Sequence, residues 1–210
     1  MTSWKTMSIA HPSTRGGAPG FVNPLGFMKN LSFMKLSRTY NGRTNDLRSY
    51  LAAKILADRP AETIDGARPA MAVVLPPGSP GELIDPELLL DEFYRRLPRR
   101  ETCLGAQFTI YSPEAQSLWD EFDHAYQFAR SFIAGTLEVP AIIIQHVPYR
   151  AGCIASPHVH ILALGLKLGR LGFTSPQSTL ASNCAQVVLQ RAWDRFCRGS
   201  EHTLPIGPMP

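Results

Sequence analysis

Four cysteines in 210 residues form no Cys-x-x-Cys pair. Cys103, Cys153, Cys184 and Cys197 are scattered along the chain. That spacing speaks against a paired-thiol zinc or redox motif and fits free thiols in a reducing compartment. There is no run of about 18 apolar residues, so no membrane span is expected. The first residues lack a continuous apolar stretch, so no secretory leader is expected either, and a cytoplasmic location follows by default. Neither sign of charge dominates: 21 Lys and Arg stand against 17 Asp and Glu, a net of +4. This mild basic balance leans toward a polyanionic partner such as nucleic acid without requiring one. Arginine outnumbers lysine, which suits phosphate contacts.

What the chain does have is a globular composition, 44% hydrophobic and 18% charged. Such a composition excludes a disordered protein. The length suits one domain, or one domain with an extension. Residues 1–23 are rich in Ser, Gly, Pro and Thr and read as a flexible arm. Residues 24–198 read as the folded domain, and 199–210 as a tail. No internal repeat is visible.

Periodicity divides the domain into strands and helices. A first strand is expected over 25–36, followed by a turn region over 37–44 that contains Asn41 and Gly42. A helix is expected over 46–57, capped by Asp46, with Leu47, Tyr50, Leu51 and Ile55 at helical spacing and Arg59-Pro60 ending it. A short strand (70–75), a helix (86–97) capped by Asp85, and a strand (103–111) follow. In that strand Leu104, Ala106, Phe108 and Ile110 alternate onto one face. The clearest helix begins at Ser112-Pro113 and carries Leu118, Phe122, Ala125, Ala129 and Phe132 to a stop at Gly135. Residues 165–176 are glycine-rich and read as a loop or a bulged continuation of the strand before them. A last helix is expected over 181–198, with Ala185, Val188, Leu189, Ala192 and Phe196 inward. The pattern is α+β: an antiparallel sheet with helices packed on its faces.

The chemistry concentrates in two apolar segments that carry histidine. Residues 141–144 are a β-branched run ending at His146. Val159, Ile161 and Leu162 surround His158 and His160. Side chains two apart on a strand share a face, so His158 and His160 project together. Arg150, Gly152 and Pro157 lie in a connector able to reverse the chain. The reversal would bring His146 onto the same face. Three convergent imidazoles suit a divalent metal and leave coordination positions open.

These residues resemble the metal-binding part of plasmid mobilisation relaxases of the MobA/MobL type, in the HUH endonuclease superfamily. That family carries a His at the end of an apolar strand and then Asn-Pro-His-Ala-His-Ile. Here His146 precedes Ser156-Pro157-His158-Val159-His160-Ile161. The resemblance extends over residues 31–198. Val74-Leu75-Pro76-Pro77-Gly78 before a helix, Phe128-Ala129-Arg130 and Gln190-Arg191-Ala192-Trp193 match its other landmarks. Ser37-Arg38, Gly42-Arg43-Thr44 and Tyr50-Leu51-Ala52 are similar to the segment that bears its nucleophilic tyrosine.

The resemblance implies metal-dependent nicking of single-stranded DNA at a plasmid transfer origin, with accessory mobilisation proteins as partners. His146, His158 and His160 would bind Mg²⁺ or Mn²⁺, and an all-nitrogen ligand set favours the latter kind of ion. Tyr50 is the first choice of nucleophile, Tyr40 the second and Tyr149 the third. Arg38, Arg43 and Arg48, with Arg150 beside the histidines, are the candidate phosphate contacts. Ser156 replaces the family's Asn, and Leu51 replaces the Arg after its tyrosine, which leaves a non-catalytic DNA-binding relative as an alternative. A histidine-triad nucleotide hydrolase is the other alternative, but it needs a third His where Leu162 stands.

Overall fold

The computed structural model describes residues 31–40, 42–56, 70–111, 115, 117–151 and 154–200. The arm at 1–23, the helix stop at Arg59-Pro60 and the expected cap at Ser112-Pro113 lie outside the described residues, as do 201–210.

Five runs of alternating or wholly apolar residues pair into one sheet. They are β1 (Leu31–Ser37), β4 (Met71–Val74), β5 (Cys103–Ile110), β6 (Ala141–His146) and β7 (His158–Leu164), in spatial order β1-β5-β7-β6-β4. Every neighbouring pair is antiparallel. All residues of β5 and β6 are buried, which requires cover on both faces of the sheet.

One face is covered by α3 (Leu118–Phe128), its π-helical extension Ala129–Ala134, the short α4 (Ser178–Ala181) and α5 (Ala185–Ser200). Phe33, Phe108, Ile143 and Ile161 meet Phe128, Leu189 and Trp193 in that core. Phe128 and Trp193 pack edge-on, with ring centroids 5.1 Å apart, the arrangement that aromatic quadrupoles favour. The other face is covered by α1 (Leu47–Leu56), α2 (Pro86–Arg96) and the hairpin of β8 (Leu166–Gly169) and β9 (Gly172–Pro176). Leu47, Leu51, Leu90 and Phe93 close over Met34, Leu104, Ile142 and Leu162 there.

The caps explain where the helices begin. Asp46 accepts from the Ser49 N–H at 3.0 Å. Asp85 accepts from the N–H groups of Glu87 and Leu88 at 2.8 and 3.0 Å. Each satisfies backbone donors that the first turn leaves open. The long helix starts later than its sequence suggests. Ser117 caps it, accepting from Asp120 N at 3.1 Å.

Four further expectations need correction. The turn region at 37–44 contains a small hairpin, β2 (Thr39–Tyr40) and β3 (Arg43–Thr44). Residues 165–176 form the separate hairpin β8–β9 instead of a loop or an extension of β7. The last helix is split into α4 and α5, and Val188 is 40% exposed. Leu104 does not share a face with Ala106. The register of β1 against β5 skips it, pairing Leu36 with Gly105 and Ser37 with Cys103, and the bulge turns Leu104 toward α1 and α2. Gly105 has φ +155°, and a Cβ there would fall 2.2 Å from the Ala163 carbonyl oxygen. Gly135 does end the long helix, with φ −76°. Its requirement is space: a Cβ would lie 2.5 Å from the Ser131 carbonyl oxygen.

Candidate metal centre

Adjacent antiparallel strands deliver the three histidines. His146 is the direct cross-strand partner of His158, and His160 pairs with Ile144. Residues directly opposite share a face, so the pairing puts His146 beside the His-x-His pair. Ring centroids lie 4.6 Å apart for His146–His160, 4.8 Å for His158–His160 and 5.3 Å for His146–His158. One candidate ligand nitrogen from each ring lies within 4.8 Å of the other two. A shared ion at about 2.0–2.1 Å needs nitrogens roughly 3–3.5 Å apart. The rings would have to turn to close that difference on a bound ion. His146 and His160 are 4% and 6% exposed, while His158 is half-buried.

The surroundings suit a ligand set. His158 Nδ1 lies 3.0 Å from the Ser156 carbonyl oxygen. Since a carbonyl only accepts, Nδ1 carries a hydrogen, which in the neutral ring leaves Nε2 its lone pair. His160 Nδ1 lies 2.9 Å from the Thr109 hydroxyl. Anchoring the far nitrogen to a protein oxygen is how ligating histidines are oriented. Burial, and then the charges of Lys54, His146 and His158, hold the His160 pKa well below 6.5. The ring is therefore neutral at physiological pH, as metal binding requires. The donor set fits a divalent metal ion.

The helix α1 runs along this face toward the histidines. Tyr50 donates its hydroxyl to Gln107 Oε1. Gln107 Nε2 donates to Thr109 Oγ1 at 3.3 Å, and Thr109 meets His160. Four residues after Tyr50, Lys54 Nζ reaches 3.3 Å from His160 Nε2. A hydrogen-bonded string thus connects Tyr50 to the cluster. Burial raises the Tyr50 pKa above that of a free phenol.

The other sequence-selected residues fall elsewhere. Arg38 donates to the carbonyls of Arg99 and Pro98, beyond the Ser37 end of β1. Tyr40 and Arg43 sit on the β2–β3 hairpin at that same end. The histidines lie at the opposite end, where Leu31 pairs with Ile110. Six strand residues, about 20 Å, separate the two ends. Arg48 pairs with Asp91 on α2 and stacks over Tyr94 at 4.8 Å, away from the cluster. Tyr149 is 60% exposed in the tight turn Pro148–Ala151 after β6. Arg150 shares that turn, and its side chain lies outside the described residues.

Sequence reading missed Gln107, Thr109, Lys54 and Tyr111. Tyr111 packs against His158, ring centroids 5.4 Å apart. Gln107 and Thr109 did leave a signal: they are the polar alternates in an otherwise apolar strand. Lys54 stands four residues from Tyr50, on the same helical face.

No protein-family model matches the chain, and no curated protein matches it. A solved structure from a study of the molecular basis of vancomycin resistance transfer in Staphylococcus aureus shares its fold. The TM-score is 0.58 at 14% identity, over 84% of this chain and 94% of that one. Among the described residues, no helix is long and apolar enough to cross a membrane.

Proposed function

We propose that this chain is a relaxase-like protein of the HUH type, which nicks single-stranded DNA at a plasmid transfer origin through Tyr50. The observation that carries the reading is the hydrogen-bonded string from Tyr50 through Gln107 and Thr109 to a cluster of three histidines. The fold shared with a structure from work on resistance transfer supports it. Location in the cytoplasm, where such DNA lies, belongs to the same proposal, as do accessory mobilisation proteins.

His146, His158 and His160 would hold the ion, of a nitrogen-tolerant kind such as Mn²⁺, with Mg²⁺ the alternative. When bound, a divalent ion polarises the scissile phosphate and offsets the charge that develops on it. The remaining work falls to the protein. Gln107 holds the Tyr50 hydroxyl on the histidine face. Thr109 keeps His160 oriented. Tyr50 oxygen attacks phosphorus, the bond to the 3′ oxygen breaks, and the phenol proton passes by way of solvent to the departing 3′ oxygen, which becomes the 3′ hydroxyl. The product is a 5′-phosphotyrosine. Because burial disfavours the phenolate, Tyr50 depends on close placement at about 3–3.5 Å from phosphorus.

Incubation with single-stranded oligonucleotides and Mn²⁺, read by denaturing electrophoresis and mass spectrometry, tests this reading. A covalent adduct on Tyr50, absent from Tyr50→Phe, is expected. An adduct that persists in Tyr50→Phe but vanishes in Tyr40→Phe or Tyr149→Phe reassigns the nucleophile. No adduct with any strand, despite bound metal, overturns the catalytic reading and leaves a DNA-binding relative.

A further inference from the structure

Among the described residues, Lys54 brings a cationic side chain to the histidine cluster. Lys54 brings Nζ to 3.3 Å from His160 Nε2 and 5.6 Å from the Tyr50 ring centroid. An ammonium group has three donors and no acceptor. The nitrogen that meets it must therefore present a lone pair, which assigns His160 to its Nδ1–H tautomer. The other side of the ring agrees. Thr109 Oγ1, 2.9 Å from Nδ1, can accept both that hydrogen and the Gln107 amide hydrogen at 3.3 Å. Gln107 Oε1 is left to accept from Tyr50. The reverse tautomer would set Nε2–H against the donors of Lys54.

We infer that Lys54 competes with a divalent ion for the His160 Nε2 lone pair: its ammonium group lies on that lone pair, holds the ring in the form a metal needs, and must withdraw for the ion to bind. This rests on the metal-centre reading. One lone pair serves one partner, and an ammonium group beside a dication is repelled. Lys54 can leave without moving α1, because its four-carbon stem is flexible and the residue is only half-buried. Metal binding to the wild-type protein therefore includes the displacement of Lys54. It should tighten when the charge is removed.

The test is calorimetric titration of Mn²⁺ into wild type, Lys54→Met and Lys54→Arg at one pH and ionic strength. ¹⁵N-histidine NMR of the metal-free proteins accompanies it. Lys54→Met is expected to bind Mn²⁺ about tenfold tighter or more, and Lys54→Arg to stay near wild type. Wild-type His160 is expected as Nδ1–H alone, with Lys54→Met showing a mixture of tautomers. Lys54→Met binding equal to or weaker than wild type overturns the inference, as does wild-type His160 in the Nε2–H form. If Lys54→Met fails to fold, the wild-type tautomer decides. If neither wild type nor Lys54→Met binds Mn²⁺, the metal-centre reading itself falls and takes the inference with it.

Discussion

Strands β5, β7 and β6 carry two unlike faces. Toward α3 and α5 they present Ile110, Val159, Ile161 and Ile143, each fully buried. Toward α1 they present Thr109, His158, His160 and His146. The registers are neighbouring: Ile110 pairs with Val159, and Thr109 with His160. A slip of one residue would exchange the faces and drive the imidazoles into the apolar core. The second face also changes along its length. At the Ser37 end it is Leu36, Leu104 and Leu164 under α2; at the other end it is the polar cluster under Tyr50 and Lys54. One face holds the fold together, and half of the other carries the histidine cluster.

Substitutions can sharpen that contrast. Phe108→Ala, on the structural face, is expected to lose about 3–5 kcal/mol of stability in denaturant melts. Whatever remains folded should keep its Mn²⁺ affinity; a selective loss of affinity would mean the faces are not separable. His158→Ala should do the reverse. It should leave the melt little changed and weaken Mn²⁺ by more than the roughly 10–100-fold typical of losing an outer-shell partner. Thr109→Val should fall within that 10–100-fold range in the same titration. Tyr50→Phe should cost about 1 kcal/mol for its lost hydrogen bond, and Mn²⁺ affinity should stay at the wild-type value.

The smallest effect is a pH dependence. The His160 pKa is held well below 6.5, by burial first and then by Lys54, His146 and His158. Below about pH 6.5 the unfolded chain takes up a proton that the folded chain refuses, so unfolding becomes easier. Stability of the metal-free protein is thus expected to be flat above that pH and to fall as pH drops toward the folded pKa. Melts at pH 7.5 and 5.5 would check this, with His160→Gln removing part of the slope. Greater stability at the lower pH would contradict it.

Alternation along a strand made much of this legible. Residues 141–146 and 158–164 announce two strands, and a connector that reverses the chain allows His146 to join the His158–His160 face. The register that sets His146 opposite His158 is visible only in the fold. Asp46 and Asp85 announced their helices by residue type. What escaped depended on contacts between distant segments. The bulge at Leu104 adjoins Gly105, whose backbone lies too close to the Ala163 carbonyl to admit a side chain, and strict alternation cannot show that. Arg38, Tyr40 and Arg43 are near Tyr50 in sequence, yet α1 carries Tyr50 away from them toward the other end of the sheet. Lys54, Gln107 and Thr109 join the site only once α1 is laid across β5 and β7.

The central claim is that three imidazoles bind one divalent ion. Pulsed electron paramagnetic resonance of Mn²⁺ added at one equivalent tests it directly. One bound Mn²⁺ per chain is expected, with nitrogen couplings from imidazole that are reduced, together with the affinity, in His146→Ala. Mn²⁺ that stays free, or binds without any nitrogen coupling, would contradict the claim.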